Sequence, residues 1–145
     1  MIKRREIREA AMQLLFAQDL HGELRDGDRD AFWQLHSAMP KLREKAEVLV
    51  RGIMANLPEI DETIAASVQN YSFDRLNSVD RNILRLGTYE LLHKPDVPHA
   101  VAISEAIEIA NRFATEESAR FVNGVLDRIA RITRDRVGAG TSKSS

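Results

Sequence analysis

The chain has 145 residues, of which 43% are hydrophobic and 30% charged, with no cysteine and a formal net charge of −1. This balance is typical of a globular domain, and the lack of cysteine excludes a disulfide scaffold, a cysteine-ligated zinc site and a thiol nucleophile. It also suits a reducing cytoplasm. The charged start, MIKRREIREA, and the absence of a long apolar run predict neither a signal peptide nor a membrane segment.

Apolar residues recur at helical spacing through the first half of the chain. They predict four helices, at about residues 3–20, 30–39, 41–57 and 58–69. The segment 25–29 reads as a charged loop and 70–77 as a turn-rich link. Gly22 is expected to end the first helix, and Pro40 either ends the second helix or starts the third.

The second half predicts three more helices, at about residues 78–93, at 99–113, and from 115 or 116 onward. Ser78 is the expected cap of the first of these, and Pro98 is expected to open the second. Residues 1–137 are therefore predicted to form a single all-α domain. The polar end, residues 138–145, is predicted to be a disordered tail.

One stretch of the last predicted helix, FVNGVLD at residues 121–127, contains a conflicting signal. Asn-Gly between apolar residues is a strong hairpin signal, but no alternating strand flanks it, so helix is the better interpretation. A glycine inside a helix costs about 1 kcal/mol relative to alanine, and close approach of a second helix would explain Gly124. Asn123 lies one position off the apolar stripe, facing a polar seam or the surface.

Basic side chains open the first predicted helix, namely Lys3, Arg4, Arg5 and Arg8. At about 100° per residue the three arginines fall within one third of the helix circumference. Such an arrangement favours phosphate binding, although a solvated helix face is the simpler interpretation. Met12 and Phe16 lie away from the main apolar stripe, which indicates either an interface or a wide buried face.

Two further groups combine arginine with other functional side chains. Arg112 and Phe113 precede the last helix and Arg120 and Phe121 lie within it, a combination that suits unstacked RNA bases and phosphates if the rings are not core. Arg81 and Arg85 share a face at i, i+4 spacing, where most charges are solvated.

Catalysis has little support in the sequence. The four histidines fall on different segments, and no HExxH, GxSxG, P-loop or GxGxxG motif is present. We therefore predict that the chain is not an enzyme and that it holds no metal or cofactor.

The order of four motifs resembles the NusB family of bacterial transcription antitermination factors. The matching stretches are REIREAAMQLLF at residues 5–16, LNSVDRNILRLGTYEL at 76–91, VPHAVAISEAIEIA at 97–110, and FVNGVLD. The resemblance implies about seven helices in two packed bundles. It also implies binding of boxA RNA from ribosomal RNA leaders together with NusE, a small-subunit ribosomal protein, and entry into an RNA polymerase antitermination complex with other Nus factors.

The resemblance also implies which residues act. The RNA-binding set is Lys3, Arg4, Arg5, Arg8, Arg112, Phe113, Glu117, Phe121 and Asn123. The NusE-facing set includes Phe16 and Asp80, to which the off-stripe Met12 and the neighbouring Arg81 are added.

Other interpretations stay open. A helical module that self-associates as a homodimer without strong RNA binding is one, and a small enzyme is another. The family's domain also occurs fused to an RNA cytosine methyltransferase, but 145 residues leave no room for a catalytic domain.

Overall fold

The computed structural model describes residues 2–22, 24–36, 39–69 and 72–144, with side chains described as far as Arg134. These residues contain seven α-helices, one short 3-10 helix and no strand, which confirms the predicted all-α fold. The α-helices are α1 (Arg4–His21), α2 (Asp26–Leu35), α3 (Pro40–Ala55), α4 (Leu57–Ser67), α5 (Ser78–His93), α6 (His99–Phe113) and α7 (Glu116–Ser144). The chain divides into two compact units, an N-terminal unit of residues 1–56 and a C-terminal unit of residues 57–145.

The N-terminal unit is built on α1 and α3, which pack along each other. Small and branched apolar side chains on both helices are buried, namely Ala11, Leu14, Leu15, Ala46, Val50 and Ile53. Gly22 follows α1 with φ 79°, a left-handed conformation that favours glycine, and ends the helix where the sequence predicts. Pro40 is the first residue of α3, which decides between the two roles predicted for it.

The second helix is joined to α3 by a group of polar contacts around Glu47. Trp33 donates from Nε1 to Glu47 Oε1 at 2.8 Å, and Arg29 Nε donates to the two carboxylate oxygens at 2.8 and 3.0 Å. Burial raises the pKa of the Glu47 carboxyl, but the hydrogen bonds from Arg29 and Trp33 outweigh it and hold that pKa below its ordinary value. Arg43 and Asp30 add an exposed ion pair.

The predicted boundaries of this second helix are wrong. It starts at Asp26 and ends at Leu35, so the segment expected to be a charged loop is its first turn. Asp26 and Asp28 lie in that turn, where carboxylates are favoured by the helix dipole and offset the cost of Gly27. The prediction also covers residues 37 and 38, which lie outside the described residues.

In the C-terminal unit, α5 contacts α4, α6 and α7, and α6 packs along α7. The core is formed by fully buried side chains that include Ile60, Ile64, Ile83, Leu84, Leu86, Ile109, Val122, Val125, Leu126 and Ile129. Arg85 ties α5 to α4, because Nε and Nη2 donate to the two oxygens of Asp61 at 2.8 and 2.9 Å. The interpretation of Arg85 as a solvated charge is therefore wrong.

The cap of α5 is also corrected. It is Asn77, not Ser78: the Asn77 side chain accepts from the Asp80 backbone N–H at 2.8 Å and donates to Asp80 Oδ2 at 3.1 Å. The first bond is a side-chain N-cap that satisfies one helix-end donor, and the second positions the Asp80 carboxylate.

The FVNGVLD stretch is helical, as predicted, and Asn123 is exposed. The close approach inferred for Gly124 is wrong, because a Cβ there would meet only Arg128 Nη1 of the same helix, at 3.7 Å. Close approach occurs at Gly87 of α5 instead, where a Cβ would lie 2.7 Å from Leu126 Cδ1 of α7. The FVNGVLD stretch therefore contributes Leu126 to this close contact, and α5 contributes the glycine, Gly87.

The single domain expected for residues 1–137 and the disordered tail expected for residues 138–145 stay predictions. The tail falls outside the residues whose side chains are described. Among the described helices, none combines the length and the apolar character that a bilayer span requires.

Candidate nucleic-acid interface

Residues at the start of α7 cap the helix and place negative charge at its N-terminus. Thr115 Oγ1 accepts from the Ser118 backbone N–H at 3.0 Å, and Glu116 and Glu117 lie in the first turn. These carboxylates already occupy the position that the helix dipole offers to an anion. Phosphate recognition near this helix must therefore come from side chains.

The two phenylalanines of the predicted RNA-binding set are half-buried, so neither belongs to the closed core. The Arg112 guanidinium lies 5.5 Å from the centre of the Phe113 ring, in cation–π geometry, and is itself exposed. Asn123 is also exposed, but it lies two positions after Phe121, which places the two side chains on different faces of α7. The α6–α7 corner thus presents aromatic and guanidinium groups at the surface.

Phe121 lies in an open cleft of about 600 Å³ between the start of α5 and the start of α7. Its lining residues are Arg75, Leu76, Asn77, Asp80, Thr115, Glu117, Ser118, Arg120 and Phe121. This volume is within the range of clefts that hold small ligands. Arg75 and Arg120 supply positive charge, and Phe121 supplies a ring.

The cleft also contains a buried carboxylate, that of Asp80, which is 7% exposed. Oδ2 accepts from the Asn77 side chain, and Oδ1 is buried with no hydrogen-bond partner within the described part of the chain. Because a buried carboxylate oxygen without a partner is costly, Oδ1 is an unsatisfied acceptor in the lining of this cleft. The cleft brings together Glu117 and Phe121 of the RNA-binding set and Asp80 of the partner set.

Arg81, the other α5 residue of the partner set, contacts the segment just before α5. Its Nη1 donates to the Leu76 carbonyl at 3.3 Å, and its guanidinium lies 5.8 Å from the centre of the Phe73 ring. Phe73 belongs to the 3-10 helix, Phe73–Arg75, that carries Arg75. Arg81 therefore helps to hold the segment that brings Arg75 to the cleft.

The basic edge of α1 is smaller than the sequence predicts. Lys3, Arg4 and Arg5 are exposed, whereas Arg8 is 7% exposed. A guanidinium buried to this extent lies in the interior and is not part of a solvated phosphate-binding edge. Helical spacing places Arg8 beside the apolar face of α1, but it does not indicate how much of that face other helices cover. The packing of α1 therefore decides that Arg8 is buried.

Met12 and Phe16, the two apolar residues of α1 away from the main stripe, differ in exposure. Met12 is 2% exposed and belongs to a wide buried face, so the interpretation of it as an exposed interface residue is wrong. Phe16 is half-buried and keeps part of its ring accessible.

The RNA-binding set implied by the family resemblance contains neither Arg75 nor Arg120. The sequence nevertheless groups Arg120 with Phe121 as a combination that suits RNA bases and phosphates. Arg75 lies in a link without periodicity, and only the tertiary structure places it beside α7. No group of acidic and histidine side chains among the described residues is arranged to hold a metal ion.

The model of the NusB family matches residues 5–131, which is most of the chain. The chain belongs to the NusB family. This confirms the resemblance, and it identifies a NusB-type transcription antitermination factor that is not an enzyme.

Relatives and solved structures agree with this membership. The chain is 44% identical over 133 residues to the transcription antitermination protein NusB of Sorangium cellulosum, covering 89% of this chain and 95% of that protein. It is similar to the structure of NusB from T. maritima at 42% identity and a TM-score of 0.77, covering 90% of this chain and 92% of that one. It is also similar to a chain in a crystal structure of antitermination factors NusB and NusE with double-stranded RNA, at 29% identity and a TM-score of 0.79, covering 89% and 96%.

Proposed function

We propose that this NusB-family chain binds boxA RNA of ribosomal RNA operons together with NusE, and joins the RNA polymerase antitermination complex with other Nus factors in the cytoplasm. The cleft between α5 and α7 carries the proposal, because arginines and an aromatic ring line an open space of about 600 Å³. The similar structure that contains NusE and double-stranded RNA supports both partners.

The exposed side chains of Lys3, Arg4 and Arg5 contact phosphates in this proposal. Such contacts position an RNA strand without reading its sequence. A net charge of −1 gives no general attraction for RNA, so a local group of cations is needed. Arg8 acts indirectly, because its burial makes it a support for α1.

The α6–α7 corner reads unpaired bases. Phe121 stacks on a base that enters the cleft, and Phe113 with Arg112 offers a second stacking surface. Glu117 lines the cleft with Phe121 and presents a carboxylate to base edges, and the exposed Asn123 presents an amide from another face of α7. These polar groups would discriminate boxA from other sequences.

NusE is proposed to contact two regions, one in each unit. Phe16 supplies a partly exposed ring from α1, and Asp80 supplies an acceptor oxygen from α5. Arg81 supports the adjacent segment and contacts NusE through its accessible part.

A salt titration of RNA binding tests the proposal, using labelled boxA RNA and a scrambled RNA, each with and without NusE. Arg5→Ala should weaken binding to both RNAs and lower the slope of log affinity against log salt by about 0.7–1. Phe121→Ala should cost roughly 1–3 kcal/mol of binding with little change in slope. Lys45→Ala, which removes an exposed charge from α3, is the matched control and should change neither.

Equal binding of boxA and scrambled RNA in the presence of NusE would refute the proposed specificity. If Phe121→Ala binds RNA as the parent does, the cleft is not the base-binding site. Circular dichroism of each variant separates a loss of binding from a loss of fold.

Self-association is a second candidate function, favoured by apolar side chains exposed in the N-terminal unit. Leu35 is 85% exposed and Val48 is 57% exposed. Sedimentation velocity with Leu35→Ser tests it: a homodimer that uses this surface becomes a monomer, and a chain that is monomeric before the substitution excludes it.

A further inference from the structure

A second, smaller cleft of about 230 Å³ lies in the C-terminal unit, where the C-terminal end of α5 meets α4 and α7. It has none of the residues of the proposed RNA-binding or NusE-binding sets in its lining. The volume is below that of sites for drug-sized ligands, so the cleft is suited to a single side chain.

The hydroxyl groups in this cleft are arranged as acceptors. Thr63 Oγ1 donates to the Glu59 carbonyl and Thr133 Oγ1 donates to the Ile129 carbonyl, both at 2.8 Å. Since each hydroxyl has one proton, the lone pairs that remain can only accept. A group bound here must therefore bring its own donors.

A buried polar side chain in the same cleft also lacks a partner. Ser67 lines the cleft and is 4% exposed, and its Oγ has no hydrogen-bond partner among the described residues. Its carbonyl accepts from Arg128 Nε at 2.8 Å, which fixes the end of α4. Buried hydroxyls are normally satisfied, so Ser67 Oγ is an unsatisfied polar atom beside the cleft.

The described residues that line the cleft include two carboxylates. Glu62 is exposed in the lining, and Glu59 is paired with His93 Nε2 at 2.5 Å. The exposed carboxylate of Glu62 favours a bound cation.

The lining also contains the apolar side chains of Leu92 and Ile132, and Ile132 is 43% exposed. Apolar side chains together with acceptors and a carboxylate match a long basic side chain, whose aliphatic stem packs on apolar surface while its charged head is hydrogen-bonded.

We propose that this cleft receives a lysine or arginine side chain of a protein partner. The stem packs on Leu92 and Ile132, and the charged head donates to Glu62 and to the hydroxyls of Thr63 and Thr133. The cleft is thus a protein-docking site separate from the proposed RNA surface.

Binding of a fluorescent oligolysine, measured by anisotropy at low salt, tests this docking site. Glu62→Gln should weaken binding roughly two- to fivefold through the lost ion pair. Ile132→Asn should weaken it by a comparable factor of roughly three through the lost apolar contact. Glu108→Gln removes an exposed carboxylate from α6, outside the cleft, and is the matched control.

Amide chemical-shift mapping with the same oligolysine locates the site, and the largest changes should fall at Thr63, Ser67 and Thr133. Equal losses for Glu62→Gln and Glu108→Gln would show general charge attraction and overturn the proposal. So would equal binding of fully N-acetylated oligolysine, which lacks the charge. A dimer that Glu62→Gln dissociates in sedimentation would identify a second copy as the occupant and also overturn it. Unchanged boxA binding by Glu62→Gln is expected, and a loss there would contradict the separation from the RNA surface.

Discussion

Gly87→Ala tests the contact that sets the spacing of α5 and α7. A Cβ at this position would lie 2.7 Å from Leu126 Cδ1 and 3.1 Å from Cδ2, whereas carbon atoms prefer about 3.5–4.0 Å. Leu126 is fully buried, so it has little room to move. Overpacking of this kind costs about 1–3 kcal/mol, and the gain in helix propensity returns about 1 kcal/mol. We expect a net loss of unfolding free energy of up to about 2 kcal/mol.

Gly124→Ala is the matched control, because it changes the same residue type in a neighbouring helix. Its Cβ would meet only Arg128 Nη1 at an ordinary contact distance of 3.7 Å. The propensity gain should therefore appear as a stabilisation of up to about 1 kcal/mol. Urea denaturation measures both, and melting temperatures should differ by roughly 3 °C or more between the two variants.

A double-mutant cycle identifies the clashing atom. Leu126→Ala alone should cost about 2–5 kcal/mol through the cavity that it leaves. In that background Gly87→Ala should no longer destabilise the protein, because the clashing methyl groups are absent. Equal stability of Gly87→Ala and Gly124→Ala would refute the close approach of α5 and α7, and an unchanged cost of Gly87→Ala without Leu126 would place the clash elsewhere.

Three further predictions concern charged side chains that are wholly or partly buried, those of Glu47, Arg85 and Arg8. Because the folded pKa of Glu47 is depressed, its contribution to stability is present above its ordinary value of 4.5 and is lost as pH falls through the folded pKa. The fluorescence of Trp33 should therefore report a smaller acid-induced loss of stability in Glu47→Gln than in the parent. Arg85→Ala should cost about 1–3 kcal/mol in urea denaturation by leaving Asp61 without its paired donors, and an unchanged midpoint would show that the pair contributes nothing. Arg8→Ala should lower the free energy of unfolding. If the variant is instead as stable as the parent but has a lower slope of log RNA affinity against log salt, Arg8 contacts a phosphate.

The local pattern of the sequence determines the helices and the faces that they bury. Apolar residues at a period of 3.6 identify all seven α-helices, and the same period identifies the FVNGVLD stretch as helix despite its hairpin signal. The motif order places the chain in its family. The boundaries of α2 are the exception. Asp26 and Asp28 favour a first helical turn, but Gly27 lies between them and is typical of a loop.

Tertiary packing decides what covers each face, and helical spacing contains no information about that. Phe113 and Phe121 have the spacing of core residues, yet both are only half-buried, and Phe121 lines the cleft that α7 leaves beside α5. Arg8 and Met12 have the spacing of surface or interface residues, yet they are buried. Arg85 pairs with Asp61, which lies 24 positions earlier in the chain. Burial and pairing depend on which residues distant in the chain become neighbours, and in this protein the arrangement of the packed helices decides that.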